Sequence, residues 1–145
     1  MAEQNYKNHS RLHPVWHFIV YPAILVTMVG AGINLYESCK ADNENLYSAS
    51  LIFFMSFILL AVALFARGFA LRAQDRAIRA EENLRFYAIT GKLMDSRLTL
   101  GQIIALRFAP NNELLDLEHR AVEENLSSSQ IKKAIKNWRA DHHRV

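Results

Sequence analysis

The sequence has a single cysteine, Cys39, in 145 residues, so no intramolecular disulfide holds the fold together. Cys39 is an idle free thiol, unless it faces an oxidising compartment and pairs between chains. Common catalytic patterns are also missing: there is no glycine-rich phosphate loop, no C-x-x-C, no H-E-x-x-H and no G-x-S-x-G. We therefore expect that the chain is not an enzyme.

Charged side chains are absent from two long apolar runs. Residues 47–65 read YSASLIFFMSFILLAVALF, and residues 15–36 carry no charge apart from a potential one on His17. About 20 apolar residues at 1.5 Å each cover a hydrocarbon core of roughly 30 Å. Core helices of a soluble domain are the alternative, but uncharged runs of this length are uncommon in soluble folds. The pattern predicts two membrane spans.

A cleaved signal peptide is the competing interpretation of the first run. The small residues 29–31 resemble a cleavage site, but the apolar run continues beyond them to Tyr36 and exceeds the usual length for such a peptide. A lipoprotein signal ending at Cys39 also fails, because Tyr36 and Glu37 replace its aliphatic and small residues. We therefore expect an uncleaved span.

The distribution of lysine and arginine indicates an orientation. Basic residues flank the two runs on one side, at Lys7, Arg11, Arg67, Arg72, Arg76 and Arg79. The connecting segment has one basic residue, Lys40, among Glu37, Asp42 and Glu44. The positive-inside rule then places both termini in the cytoplasm, and Trp16, Tyr36 and Tyr47 match interfacial anchors.

The second span is predicted to continue as one helix to Thr90, where Gly91 ends it. Apolar residues recur there at steps of three and four and form a stripe, at Phe69, Ala73, Ala77, Ala80, Leu84 and Tyr87. Such a stripe needs to be covered, either by the helices that follow or by another chain.

Three short helices are predicted after Gly91. Thr99 caps the first, which runs to Phe108. The second covers residues 113–125 and follows a turn with a cap at Pro110-Asn111-Asn112. The third runs through Arg139 and begins with a capping box made by Ser127 and Gln130. The expected core positions are Leu114, Leu117, Ala121, Val122, Ile131, Ile135 and Trp138.

The third of these helices is basic. Its cationic residues are Lys132, Lys133, Lys136 and Arg139, followed by Arg144, against Asp141 alone. A helix-turn-helix that reads DNA is one interpretation. The acidic middle helix, the membrane tether and a turn without glycine argue against nucleic acid. A solvated face, or one beside anionic lipid, explains the same residues.

Histidines provide the remaining candidate site. His9, His13 and His17 are four residues apart, a spacing that can ligate a metal or haem. Pro14 interrupts the run, and no Cys, Asp or Glu nearby completes a ligand set. We expect no cofactor. The terminal Asp141-His142-His143 is expected to be exposed rather than an acid-base group.

Four segments together resemble a group of small bacterial two-span membrane proteins of unknown function. They are AEQNYKNHSR, QDRAIRAEENLRFY, LGQIIALRFAPNNELLDL and SSSQIKKAIKNWRADHHRV. The resemblance implies a bacterial source and a hairpin topology, and it implies no chemistry.

The complete prediction is an all-α protein of the bacterial inner membrane. A transmembrane helical hairpin leads into a long cytoplasmic helix and then a small cytoplasmic bundle. The segments are a cytoplasmic start at 1–14, spans at 15–36 and 47–66, an extracytoplasmic loop at 37–46, the continuing helix at 67–91 and a helical domain at 92–145. We expect an accessory or scaffold subunit whose stripe and basic helix contact other membrane subunits or copies of the same chain. A haem or metal-binding redox subunit using His13 and His17, and a nucleic-acid or ribosome binder using the basic helix, are the alternatives.

Overall fold

The computed structural model describes residues 4–6, 8, 12–41 and 44–141. Within those ranges every regular element is helical, which confirms the all-α prediction. The helices are α1 (Tyr21–Ala41), α2 (Leu46–Thr90), α3 (Leu100–Leu106), α4 (Asn111–Glu123) and α5 (Ser128–Ala134). Several residues used in the sequence analysis lie outside the described ranges, namely Lys7, His9, Arg11, Asp42, His142, His143 and Arg144.

The chain divides into two compact units. One comprises Leu12–Ala70, and the other comprises Leu71–Val145 together with the N-terminal segment Met1–Arg11. Two helical segments, Trp16–Lys40 and Leu46–Thr90, are long and apolar enough to cross a membrane.

In the first unit, α1 follows a π-helical turn over Trp16–Val20. Tyr21 donates its N–H to the carbonyl of Trp16, and the next residue, Pro22, has no N–H to continue the ladder. The helix then runs to Ala41, beyond the predicted boundary at Tyr36. That boundary marked the end of the apolar run, but helical hydrogen bonding does not stop where the side chains become polar.

The residues buried in this unit repeat every seven positions. They are Ile24, Ala31 and Ser38 on α1, and Ala49, Ser56 and Ala63 on α2. A seven-residue repeat is typical of helices that supercoil around each other, and small side chains let two backbones approach closely. Gly32 marks one such approach, because a Cβ there would lie 3.3 Å from the ring of Phe53. Gly30 has open space beside it.

Helix α2 ends where the sequence predicted. Gly91 adopts a φ of 73°, in the left-handed region, and donates its N–H to the carbonyl of Tyr87 at 2.8 Å. Glycine is the residue that adopts this conformation at a helix end without a steric penalty. The prediction of one continuous helix ending at Thr90 is confirmed.

The predicted caps are present at two of the three short helices, and both are capping boxes. Thr99 and Gln102 form one box at α3, and Ser127 with Gln130 forms the other at α5. Helix α3 ends at Leu106 rather than Phe108. The expected asparagine cap of α4 is wrong, because Pro110 occupies the cap position and makes no side-chain hydrogen bond there.

Helix α5 is shorter than predicted. It ends at Ala134, and Ile135 already has an extended backbone with a ψ of 122°. The predicted helix through Arg139 is therefore wrong, and Lys136 and Arg139 follow the helix instead of belonging to it.

The core of the second unit lies among α3, α4, α5 and the end of α2. Its fully buried large side chains are Leu106, Phe108, Leu114 and Ile131. The expected core positions Leu117, Ala121 and Ile135 are also buried, while Val122 and Trp138 pack against the cluster. Helices α3 and α5 approach closely at Gly101, where a Cβ would lie 2.9 Å from the Ser128 hydroxyl oxygen.

Candidate functional site

The predicted stripe on α2 is exposed along its whole length. Phe69 is 59% exposed, Leu84 is 67% exposed and Tyr87 is 53% exposed. The alanines of the stripe, at positions 73, 77 and 80, are exposed as well. The helices that follow do not cover this surface, which we call the outer face of α2 and define by Phe69, Ala73, Ala77, Ala80, Leu84 and Tyr87.

The opposite side of α2 is the one that packs. Ile78 is 4% exposed, Glu82 is 3% exposed and Phe86 is 7% exposed, at steps of four residues. We call these three residues the inner face of α2. The apolar pattern of the sequence does not indicate this face, because a glutamate at its centre breaks the pattern.

Two arginines neutralise the buried carboxylate of Glu82. Arg85 Nη1 lies 2.9 Å from Glu82 Oε2, and Arg139 Nη1 lies 3.4 Å from Glu82 Oε1. Arg85 also donates to the side-chain oxygen of Asn111 at 2.9 and 2.6 Å, and to the carbonyl of Ala109 at 2.8 Å. These bonds connect α2 to the start of α4, and they explain why the Asn111 side chain does not cap its own helix.

The residues that follow α5, which were predicted to continue the basic helix, form hydrogen bonds with a carboxylate of α4. Glu113 accepts the N–H of Lys136 at 2.9 Å, and it accepts the N–H and side-chain NH₂ of Asn137 at 3.1 and 2.9 Å. These bonds, with the N–H of Arg139 donated to the carbonyl of Phe108 at 2.8 Å, hold the chain extended after Ala134. The partial burial of Glu113 raises the pKa of its carboxyl, but the three hydrogen bonds outweigh burial and leave that pKa below its ordinary value.

Three of the four predicted basic residues have partners within the chain. The ammonium of Lys132 lies 5.7 Å from the centre of the Phe108 ring, and that of Lys133 lies 5.4 Å from the centre of the Tyr6 ring. Arg139 is paired with Glu82. Lys136 is exposed but lies beyond α5. The structure thus does not place the four cations on one helical face.

Two residues near the N-terminus, Gln4 and Tyr6, contact later parts of the second unit. The side-chain oxygen of Gln4 accepts the N–H of Asp141 at 2.7 Å, and the hydroxyls of Tyr6 and Ser129 are 3.0 Å apart. Tyr6 therefore contacts α5, and Gln4 contacts the part of the chain that follows α5. No local sequence signal could have indicated these pairings, which join residues more than 120 positions apart.

Asp141 is not the exposed terminal residue that was expected. Its carboxylate forms an ion pair with Arg107, whose side chain is 8% exposed, and its own side chain is 17% exposed. His142 and His143, the other members of that tail, lie outside the described residues. The pairing gives Asp141 a structural contact with the residue that follows α3.

A second ion-pair group lies between the α2–α3 connection and α4. Arg97 lies 2.9 Å from Asp95 and 3.2 Å from Glu123, and the Asp95 N–H is donated to Glu118 at 2.9 Å. The hydrogen bonds that Arg97 donates hold the pKa of the Asp95 carboxyl below its ordinary value. All of these groups hold structure in the connection.

The histidine candidates make local backbone contacts. His13 Nδ1 accepts the N–H of Trp16 at 3.4 Å, and His17 Nδ1 donates to the carbonyl of His13 at 2.9 Å. Each ring therefore uses one nitrogen in a hydrogen bond with the backbone at the start of the first helical segment. Across the described part of the chain, no group of three or more His, Cys, Asp or Glu side chains is arranged to hold a metal ion.

A family model described as "Family of unknown function (DUF6526)" matches residues 1–145, which confirms the resemblance to an uncharacterised family. No curated protein and no solved structure matches the chain.

Proposed function

We propose that this chain, which belongs to the DUF6526 family of unknown function, is a small accessory or scaffold subunit of a bacterial inner-membrane assembly. In this proposal α1 and the first half of α2 anchor the chain, and the second unit makes protein contacts in the cytoplasm. The mechanism is positioning of a partner rather than chemistry.

The exposure of the apolar side chains supports the membrane anchor. Phe18 is 69% exposed, Val26 is 72% exposed, Phe54 is 64% exposed and Met55 is 63% exposed. Removing a side chain of this size from water is worth roughly 1.5 to 3 kcal/mol. A bilayer provides that transfer for both helices at once, and their buried seam of small residues suits helix association in lipid.

The contacts of the N-terminal segment support a hairpin with both ends on one side. Gln4 and Tyr6 precede the first apolar helix, and their partners Asp141 and Ser129 follow the second. In the proposed hairpin the chain crosses the bilayer twice between these residues, which returns it to the side on which the contacts form. The arginines after the second apolar run then favour the cytoplasm as the shared side, by the positive-inside rule.

The observation that carries the proposed function is the two-sided character of α2. Ile78, Glu82 and Phe86 are buried against the chain's own helices, whereas Leu84 and Tyr87 on the outer face are more than half exposed. An exposed row of apolar side chains outside the lipid region is typical of a protein interaction site. We propose that this face docks a membrane partner.

Co-purification of the tagged full-length chain, expressed at its native level and extracted in a mild detergent, tests this function. We expect the tagged wild-type chain to recover stoichiometric amounts of other membrane subunits or of a co-expressed untagged copy of the same chain, as counted by quantitative mass spectrometry. Leu84→Glu should reduce that recovery at least fivefold, while Leu115→Glu, which changes another exposed leucine on α4, should not. Recovery of the isolated monomer alone, or equal loss in both variants, would contradict the proposal.

The orientation has its own test in the exposed Cys39, which lies near the end of α1. A membrane-impermeant maleimide should label Cys39 from the periplasmic side of spheroplasts. In a Cys39→Ser background, a cysteine introduced by Asn112→Cys on exposed α4 should be labelled only after permeabilisation. Labelling of the second variant in intact spheroplasts would refute cytoplasmic placement of the helical unit.

A further inference from the structure

We infer that the partner on the outer face of α2 is a second copy of this chain, packed parallel as a two-stranded coiled coil. The inference rests on the proposed function, because membrane insertion in one orientation makes the α2 helices of neighbouring copies parallel. It goes further by identifying the partner and the residues that pair.

The spacing of the outer face is that of a coiled-coil seam. Ala73, Ala77, Ala80, Leu84 and Tyr87 succeed one another at steps of four, three, four and three, which are the d and a positions of a heptad. The alanines permit close approach of two backbones. Leu84 and Tyr87 supply the large apolar side chains of the seam, and both are more than half exposed.

The intramolecular packing leaves this seam available for a partner helix. In the same heptad register Ile78 is a b position and Glu82 is an f position, both on the side of the helix away from the seam. These two residues are buried in the chain's own second unit. A second helix can therefore pack on the seam without displacing any contact of the inner face.

Charge complementarity favours a parallel copy as the occupant. Arg76 occupies a g position and Glu81 occupies the e position five residues later, and both are exposed. Neither forms an ion pair with any other residue in the described ranges. In a parallel two-stranded coiled coil a g residue meets the e residue of the following heptad on the other strand, so Arg76 meets Glu81 of the second copy. Two-fold symmetry produces this pair twice. An antiparallel pair would instead place g positions opposite g positions and e positions opposite e positions, so Arg76 would not meet Glu81.

Disulfide crosslinking of the full-length chain in native membranes tests the seam. In a Cys39→Ser background, Ala80→Cys places a thiol at a d position, and Arg79→Cys places one at the adjacent exposed c position. Parallel d residues lie within the range that a disulfide can bridge. We expect mild oxidation to produce a dimer of twice the chain mass with Ala80→Cys, at a yield at least tenfold above that of Arg79→Cys.

Charge exchange tests the orientation in the same assay. Arg76→Glu and Glu81→Arg, each combined with Ala80→Cys, should reduce the dimer yield severalfold because like charges then meet across the seam. The double exchange should restore the yield. Failure of the double exchange to restore it would overturn the parallel pairing.

The remaining outcomes separate this inference from the function it rests on. An Ala80→Cys adduct with a different membrane protein, or equal dimer yields from positions 79 and 80, would overturn self-pairing. In that case the co-purification of a partner that is sensitive to Leu84→Glu would still support a scaffold subunit. Recovery of the monomer alone in both experiments would overturn the proposed function and this inference together.

Discussion

Glu82 is the residue whose removal should reveal how α2 is held to the rest of its unit. Its side chain is 4% exposed, its carboxylate contacts Arg85 at 2.9 Å, and it contacts Arg139 at 3.4 Å. Glu82→Gln keeps the shape of the side chain while removing its charge. An amide NH₂ in that position also presents a donor to a guanidinium, where the carboxylate presented an acceptor.

The expected cost follows from what each partner loses. Removing one member of a buried ion pair costs about 3 to 5 kcal/mol when the other charge is left unpaired. Arg85 is not left unpaired, because it keeps the Asn111 and Ala109 oxygens at 2.6 to 2.9 Å. Arg139 is 52% exposed and can be solvated, so the cost of losing its contact with Glu82 is that of a surface ion pair, about 0 to 1 kcal/mol. We therefore expect Glu82→Gln to lower the free energy of unfolding by about 2 kcal/mol, and Arg139→Gln by less than about 1 kcal/mol.

Urea unfolding of the full-length chain in mild detergent measures this difference. The chain has two tryptophans, and the Trp138 ring packs at a tilt against the buried Phe108 ring with the ring centres 4.9 Å apart, so its fluorescence reports the core of the second unit. A Trp16→Phe background removes the other signal. Asp116→Asn, at an exposed position on α4, is the matched control and should change the free energy of unfolding by less than about 0.5 kcal/mol.

A double-mutant cycle between Glu82 and Arg85 provides the decisive measurement. We expect a coupling free energy of at least about 1 kcal/mol, because the two groups are in direct, mostly buried contact. An unchanged midpoint for Glu82→Gln, or a coupling near zero, would refute the argument that this ion pair holds α2 to the helices that follow it.

Three further predictions concern single sites in the second unit. Gly91→Ala should lower the free energy of unfolding by about 1 to 2 kcal/mol because its φ is 73°, and Gly91→Asn should lower it by less; urea midpoints measure both. Gln102→Leu should lower the free energy of unfolding by about 2 kcal/mol, because it removes the donor to the Leu126 carbonyl at 2.9 Å and the oxygen that accepts the Thr99 N–H at 2.7 Å. A cost near zero would contradict a stabilising role of the capping box at α3. The pKa of Glu113 is lowered in the folded state, so the stabilisation by its carboxylate is present above the unfolded pKa of about 4.3 and is lost as pH falls through the folded value. Glu113→Gln should therefore lower the free energy of unfolding at pH 7 and match the wild type in acid. A constant difference in the free energy of unfolding between pH 7 and pH 3 would contradict this.

Local features of this chain were determined by the sequence alone. The two apolar runs became α1 and the first half of α2, Gly91 ended α2, and the Ser127–Gln130 box began α5. Each of these depends on residues within about one helical turn, or on the apolarity of one continuous run. Residues close together in the sequence therefore determine these features. The core residues of α4 could be predicted from its periodicity for the same reason.

The tertiary structure decided which face of α2 is buried and where α5 ends. Both outcomes depend on polar pairings between distant residues: Glu82 with Arg139 across 57 positions, and Glu113 with the N–H of Lys136 across 23. Hydropathy assigns a glutamate to the solvent, because burying an isolated carboxylate is costly. That cost is removed here by arginines and backbone N–H groups that only the folded chain brings within hydrogen-bonding distance, so periodicity alone did not indicate that the chain's own helices pack on the side of α2 that carries Glu82.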